Sequence, residues 1–162
     1  MEIPAMNTLD ELVAAAITDF SRVATLAHAE FAVDSITVEI TTKPHKAPRN
    51  LPVGRMAVYA FLLDGHALKV GKAGPRSIAR YTSQHYNPAS ARSTLAQSIL
   101  TSPTKVGAVH VDLGSVGNWI KEHTDRVNLL LPTTLDPAIL SLLESFLHVR
   151  WKPVFEGRAE ND

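Results

Sequence analysis

A β-hairpin is the strongest structural signal in this chain. The segments Arg55–Leu63 and His66–Lys72 are both rich in apolar residues and are separated by Asp64-Gly65. An Asp-Gly pair between two strand-like segments is typical of a tight hairpin turn. The chain is therefore expected to contain an antiparallel sheet.

The register of this hairpin depends on the face to which Lys69 belongs. A two-residue loop in a regular hairpin would place Lys69 on the apolar face, and a slip of one residue exchanges the two faces of a strand. We therefore predict a three-residue loop, Leu63-Asp64-Gly65, with Gly65 in the left-handed bulge position, so that Leu62 pairs with His66. Tyr59 and Lys69 then become direct cross-strand neighbours. The apolar face would contain five residues: Val58, Ala60, Leu62, Leu68 and Val70.

Helices and further strands are predicted on both sides of the hairpin. Apolar residues at helical spacing between Leu9 and Val23 predict a first helix, which begins with a Thr8–Glu11 capping box. The other predicted helices are residues 74–85, 90–100 and 116–122, and one that begins at Asp136-Pro137 and ends at Trp151. The predicted strands are Ser35–Thr41 and Val106–Leu113, while Val127–Leu131 is either a buried strand or an apolar connector.

These elements predict an α+β fold with a small three-stranded antiparallel sheet flanked by helices and an N-terminal helical extension. Residues 43–54 contain three prolines and no periodicity, which is typical of an exposed loop. We place a boundary there, with a helix–strand extension and basic Pro-rich loop over 1–52, a main domain over 53–158 and a tail over 159–162.

Composition excludes several classes of protein. The chain has 162 residues, of which 45% are hydrophobic and 20% charged, as expected for one packed domain. It contains no cysteine, which excludes disulfides, thiolate zinc sites and a cysteine nucleophile. Its acidic N-terminus and short apolar runs predict a cytoplasmic protein without a secretory signal or membrane contact. Its histidines lack zinc-site spacing, and no phosphate-binding loop motif predicts a nucleotide cofactor.

The charge is unevenly distributed although the formal net charge is zero. Residues 41–105 contain ten basic residues and one acidic residue, whereas the segments on either side are acidic. The middle segment can supply a field that attracts phosphate groups, or the three segments can neutralise one another in the fold.

The order of these elements resembles that of the GIY-YIG nuclease family over Ala57 to about Arg158. The matching positions are Ala57-Val58-Tyr59 for the first motif, Lys69-Val70-Gly71 for the second, Arg80 on the next helix, Glu144 on a late helix, and Lys152-Pro153 after it. Two positions depart from the family pattern. Lys69 replaces the tyrosine of the second motif, as in some restriction enzymes of the family, and Glu156 lies near the usual asparagine.

The resemblance implies an endonuclease that hydrolyses DNA phosphodiester bonds with one Mg²⁺ (or Mn²⁺) ion per active site. Tyr59 would be the general base, with Lys69 favouring its phenolate form. Arg80 would hold the scissile phosphate, and Glu144 would bind the metal ion. Four further residues are predicted to contact nucleic acid: Arg55, Lys72, Arg76 and His85.

Alternatives remain open at this point. Each of these residues taken alone is compatible with an ordinary structural role. A non-catalytic module of the same fold that binds nucleic acid or a protein partner is the alternative function, because Lys69 and Glu156 depart from the family pattern. Cutting both DNA strands requires two active sites, so a restriction-like role predicts a homodimer, whereas a nicking or repair role does not.

Overall fold

Four strands form one antiparallel sheet in the computed structural model, which describes residues 8–155. They are β1 Thr37–Thr41, β2 Arg55–Leu63, β3 His66–Ala73 and β4 Asp125–Pro132, and their order across the sheet is β1-β4-β2-β3. Five helices surround the sheet: α1 Leu9–Leu26, α2 Ile78–Thr82, α3 Leu95–Thr101, α4 Val116–His123 and α5 Pro137–Trp151. The α+β class is thus confirmed.

The prediction of a three-stranded sheet was wrong: the sheet has four strands, and the predicted strand Val106–Leu113 is not one of them. The predicted strand Val106–Leu113 is irregular, because Val106 ends a 3₁₀ turn that starts at Pro103 and Gly107 takes a left-handed conformation with φ of 70°. Its place in the sheet is occupied by β4, which pairs with both β1 and β2. The segment Val127–Leu131, which the sequence left open, is therefore a buried strand.

The hairpin between β2 and β3 has a different register from the predicted one. Asp64 and Gly65 both have positive φ and form a two-residue loop, so that Leu63 pairs with His66. The extra residue is absorbed further along, at a bulge where Leu62 pairs with Ala67 but Phe61 pairs with Lys69. As a result Tyr59 lies opposite Gly71 and not Lys69.

The bulge also changes the face to which Leu68 belongs. Val58, Ala60, Leu62 and Val70 share one apolar face, as predicted, and pack there with α1 and α5. Leu68 packs instead in a second core on the opposite face, with Tyr59 and Phe61. Lys69 follows Leu68 onto this second face, opposite Phe61.

The N-terminal segment shares the core of the rest of the chain. The capping box predicted for α1 is present, with the Glu11 amide donating to Thr8 Oγ1 and the Thr8 amide donating to the Glu11 carboxylate. Phe20 in the middle of α1 is fully buried, and Asp19 forms an ion pair of 2.7 Å with Arg150 of α5. The helix thus packs on the first core, and β1 belongs to the same sheet as the hairpin.

Among residues 8–155, none of the helices has the length and apolar character needed to cross a lipid bilayer. Glu156, singled out in the sequence as a departure from the family pattern, lies outside the described residues, as does the predicted tail.

Candidate active site

A polar cavity of about 420 Å³ opens along the edge strand β3. Three of its walls carry predicted site residues: β3 provides Lys69 and Lys72, α2 provides Arg80, and α5 provides Glu144. The remaining lining residues are Val70, Gly71, Ser93, Ser145, His148 and Val149. Predicted residues that are up to 75 positions apart in the sequence, Lys69 and Glu144, thus line one site, in which three cations accompany one carboxylate.

Tyr59 lies behind β3, next to this cavity. Its side chain is 1% exposed, and its ring packs directly on Gly71, the residue opposite it in the sheet. A Cβ atom built on Gly71 would lie 2.7 Å from Tyr59 Oη, closer than non-bonded atoms approach one another. Gly71, which lines the cavity, therefore provides the space that the phenol occupies.

His85 holds the Tyr59 hydroxyl from the opposite side. The backbone amide of Leu95 donates a hydrogen bond to His85 Nδ1, at 3.1 Å. The neutral imidazole therefore carries its proton on Nε2, which lies 2.7 Å from Tyr59 Oη and donates to it. This hydrogen bond occupies a lone pair of Tyr59 Oη on the side of His85, so the hydroxyl proton of Tyr59 must point away from His85.

Burial is the largest influence on the pKa values of Tyr59, His85 and Lys69. It raises the pKa of Tyr59 to about 12, although the positive charges of Arg80 and Arg126 act in the opposite direction. Burial also lowers the pKa of His85 to about 2, with a further contribution from Arg80, so His85 is neutral at physiological pH. The pKa of Lys69 is lowered to about 8 by burial and by Arg80, while Glu144 raises it.

Arg80 is oriented by the loop before α3. Its two terminal nitrogens donate to the carbonyl oxygens of Arg92 and Ser93, at 2.9 and 3.1 Å. Ser93 has a positive φ of 55°, a conformation that turns the loop at this contact. Each terminal nitrogen carries two protons, so the guanidinium keeps further donors for a ligand in the cavity.

The residues present fit a Mg²⁺ ion. Within residues 8–155, Glu144 has no ion-pair partner within 4.0 Å, and no three His, Asp or Glu side chains gather to form an all-protein metal cage. A single carboxylate that faces a polar cavity is a donor set that Mg²⁺ uses, because it completes its shell with water and phosphate oxygens. His148, one turn after Glu144 on α5, lines the same cavity.

Three of the predicted nucleic-acid contacts lie elsewhere. Arg55 begins β2 and Arg76 lies in the exposed turn before α2, and neither lines the cavity. His85 does not line the cavity, and both of its ring nitrogens are engaged, Nδ1 by the Leu95 amide and Nε2 by Tyr59 Oη, so it supports Tyr59 and does not contact a phosphate. Lys72 does line the cavity, where it donates to Ser141 Oγ at 2.9 Å.

Sequence reasoning missed one charged residue of this region, Arg126. It lies on β4 opposite Phe61 and is 1% exposed, although arginine is seldom fully buried. The signal was present in the sequence, because Arg126 directly precedes the apolar run Val127–Leu131, in which a strand was only one of two interpretations.

Comparisons of the chain with protein-family models, curated proteins and solved structures gave no match.

Proposed function

We propose that this protein is a Mg²⁺-dependent endonuclease that hydrolyses phosphodiester bonds in DNA. One observation supports the proposal above the others: Lys69, Arg80 and Glu144 line a single cavity beside the phenol of Tyr59. These are the four residues that the family resemblance predicts to carry the chemistry.

The cavity is suited to a phosphodiester because its cations outnumber its carboxylate. Arg80 presents a planar fork that matches the oxygens of a phosphate, and the carbonyls of Arg92 and Ser93 fix the direction in which it points. Lys69 and Lys72 add two further positive charges to that of Arg80. Such contacts hold the backbone of DNA without reading its sequence.

Tyr59 is the proposed general base. His85 Nε2–H donates to its oxygen, and the charges of Arg80 and Arg126 favour its phenolate form. Lys69 has its pKa at about 8, so its ammonium form adds positive charge at neutral pH. These interactions oppose the effect of burial and so support proton transfer from an attacking water to Tyr59 Oη.

Glu144 is the proposed metal ligand. When Mg²⁺ is bound, it neutralises charge that develops on the phosphate during hydrolysis. Glu144 on α5 and Arg80 on α2 line the same cavity, so a carboxylate and a guanidinium share one space. A homodimer would bring two such sites together for cleavage of both strands, whereas a monomer would nick one strand.

Supercoiled plasmid DNA provides the direct test. The wild-type protein is expected to convert it to nicked or linear forms with Mg²⁺, and this conversion should stop when the metal is removed by a chelator and resume when Mg²⁺ is restored. Gel electrophoresis of the products over time measures the rate. Cleavage that continues in excess chelator would contradict the proposal.

One observation favours a second candidate, a module that binds nucleic acid without cutting it. Burial raises the pKa of Tyr59 to about 12, so the phenol of the isolated protein is protonated at neutral pH and cannot accept a proton from water. No cleavage with Mg²⁺ or Mn²⁺, together with DNA binding that weakens as salt increases, would favour this candidate over the nuclease.

Gly71→Ala is expected to reduce cleavage by about 10²-fold, because the new Cβ would meet Tyr59 Oη at 2.7 Å and displace the phenol. The rate of plasmid nicking with saturating Mg²⁺ measures the effect, and circular dichroism checks that the fold is retained.

Gly74→Ala is a matched control for this substitution. Gly74 is three residues away, and a Cβ atom added to it would meet no atom within 4 Å. Its rate should stay within about twofold of the wild type, as for a surface substitution away from special features. A folded Gly71→Ala protein with the wild-type rate would show that the position of the phenol does not matter.

A further inference from the structure

Arg126 is a buried cation held by neutral groups. Its Nε donates to Asn128 Oδ1 and its Nη1 to Tyr86 Oη, both at 2.9 Å, and its Nη2 donates to the backbone carbonyl of Tyr81. All three acceptors are uncharged. Among residues 8–155, no carboxylate oxygen lies within 4.0 Å of the guanidinium.

Aromatic rings enclose the guanidinium of Arg126. Its Cζ lies 4.9 to 5.9 Å from four ring centroids, those of Tyr59, Phe61, Tyr81 and Tyr86. The chain contains three tyrosines in all, and every one of them belongs to this cage. Ring faces and hydrogen-bond acceptors stabilise a cation, but they do not cancel its net charge.

A buried charge is normally paired, because an unpaired one is costly to remove from water. Arg126 has hydrogen bonds but no counter-ion, so its field extends to its neighbours. Tyr59 is one of them, with its ring centroid 5.3 Å from the guanidinium. An electrostatic interaction at this distance is strong in an interior from which water is excluded.

We propose that Arg126 is a positioning residue for the reaction, which fixes the ring of Tyr59 and supplies from inside the protein a permanent positive charge that stabilises the phenolate of Tyr59. This inference rests on the proposed function, in which Tyr59 accepts a proton. It gives a residue of β4 a role in the reaction, whereas the family resemblance assigns no role to any residue of that strand.

Other charged and titratable groups also face Tyr59. Arg80 approaches from α2, His85 from the 3₁₀ turn after it, and Glu144 from α5. Arg80 and Glu144 line the cavity, so a phosphate and a metal ion would compensate their charges. Arg126 is shielded from the cavity by the rings, and its charge would persist when substrate is bound.

Asn128→Asp tests this role by placing the missing counter-ion. The substitution is nearly isosteric and puts a carboxylate at the atom that accepts from Arg126 Nε. We expect the protein to be at least as stable as the wild type, because a buried cation gains a partner, while the phenolate of Tyr59 is disfavoured. If Arg126 had only a structural role, Asn128→Asp would not disfavour the Tyr59 phenolate while it keeps the stability of the protein.

The readout is the titration of Tyr59 itself and does not require cleavage. The full-length chain is labelled with 3,5-difluorotyrosine, whose phenol is more acidic than that of tyrosine, and each of its three residues is followed by ¹⁹F NMR against pH. Tyr59→Phe assigns the signals. Asn128→Asp and Arg126→Met should each move the midpoint of the Tyr59 signal to higher pH, by about one unit.

Two further variants complete the experiment. Arg126→Lys retains the charge and should keep the midpoint close to that of the wild type, and Asn118→Asp adds the same carboxylate at an exposed position of α4 and should leave it unchanged. A Tyr59 midpoint that is the same in Asn128→Asp as in the wild type would overturn the proposal, even if Arg126→Met does not fold. If Asn128→Asp shifts the Tyr59 midpoint as expected but the wild-type protein does not cleave DNA, the effect of Arg126 on Tyr59 stands and the proposed nuclease function is rejected.

Discussion

Replacement of Tyr59 by phenylalanine is expected to lower the rate of plasmid cleavage by between about 10² and 10⁴, the usual contribution of a general base. The substitution removes the oxygen that accepts from His85 Nε2 and that would take the proton of the attacking water. The ring remains, so its contacts with Phe61 and Tyr81 are retained. Single-turnover cleavage at saturating Mg²⁺ measures the loss.

Tyr81→Phe provides a matched control. Tyr81 is buried in the same aromatic cluster, 6.2 Å from Tyr59 between ring centroids, but within residues 8–155 its hydroxyl forms no hydrogen bond. The control should therefore cleave at a rate within severalfold of the wild type. Equal losses in the two variants would attribute the effect to packing, and the base would have to be sought elsewhere.

Glu144→Gln is expected to reduce cleavage by about 10³-fold, because stabilisation of transition-state charge by a metal ion amounts to several kcal/mol. The amide keeps the shape of the side chain but lacks the charge that holds a divalent cation. DNA binding should be retained or strengthened, because the cavity loses its carboxylate and keeps Lys69, Lys72 and Arg80. Cleavage and filter binding, measured on the same protein, separate the two effects.

Glu122→Gln removes the same charge from an exposed position of α4 and is the control. Its cleavage should match that of the wild type at every Mg²⁺ concentration. A folded Glu144→Gln protein that also keeps the wild-type rate and Mg²⁺ dependence would place the metal at other ligands and contradict the proposed role.

Local signals predicted much of the fold. The capping box at Thr8 and the Asp136-Pro137 start of α5 depend on a few neighbouring residues, and the structure confirms both helices. The predicted strand Val106–Leu113 was wrong, because its alternation of residues is also compatible with a 3₁₀ turn followed by a left-handed glycine. Pairing with β1 and β2 makes Asp125–Pro132 a strand, and such distant contacts leave little trace in the local pattern.

The site shows the same difference between features that local motifs predict and features that depend on contacts between distant residues. Lys69, Arg80 and Glu144 were predicted from motif order, and all three line the cavity. The pairing of Tyr59 with Lys69 was wrong, because the requirement that Lys69 stay off the apolar face does not reveal where along the hairpin the extra residue is absorbed. The sequence places Arg126 beside a candidate buried strand, but its role and that of His85 depend on contacts between elements, which residue type and position alone do not show.

The bulge at Leu68 determines which face of β3 carries the residues of the site. Regular pairing from the Asp64-Gly65 turn would direct Lys69 and Gly71 to the face on which α1 and α5 pack. Loss of one residue between His66 and Leu68 would turn the bulge into regular pairing and leave Lys69 and Gly71 opposite Phe61 and Tyr59. Gain of one residue there, with the bulge kept, would exchange the two faces of β3 beyond it. The register of this hairpin should therefore tolerate the loss of one residue at the bulge better than the gain of one.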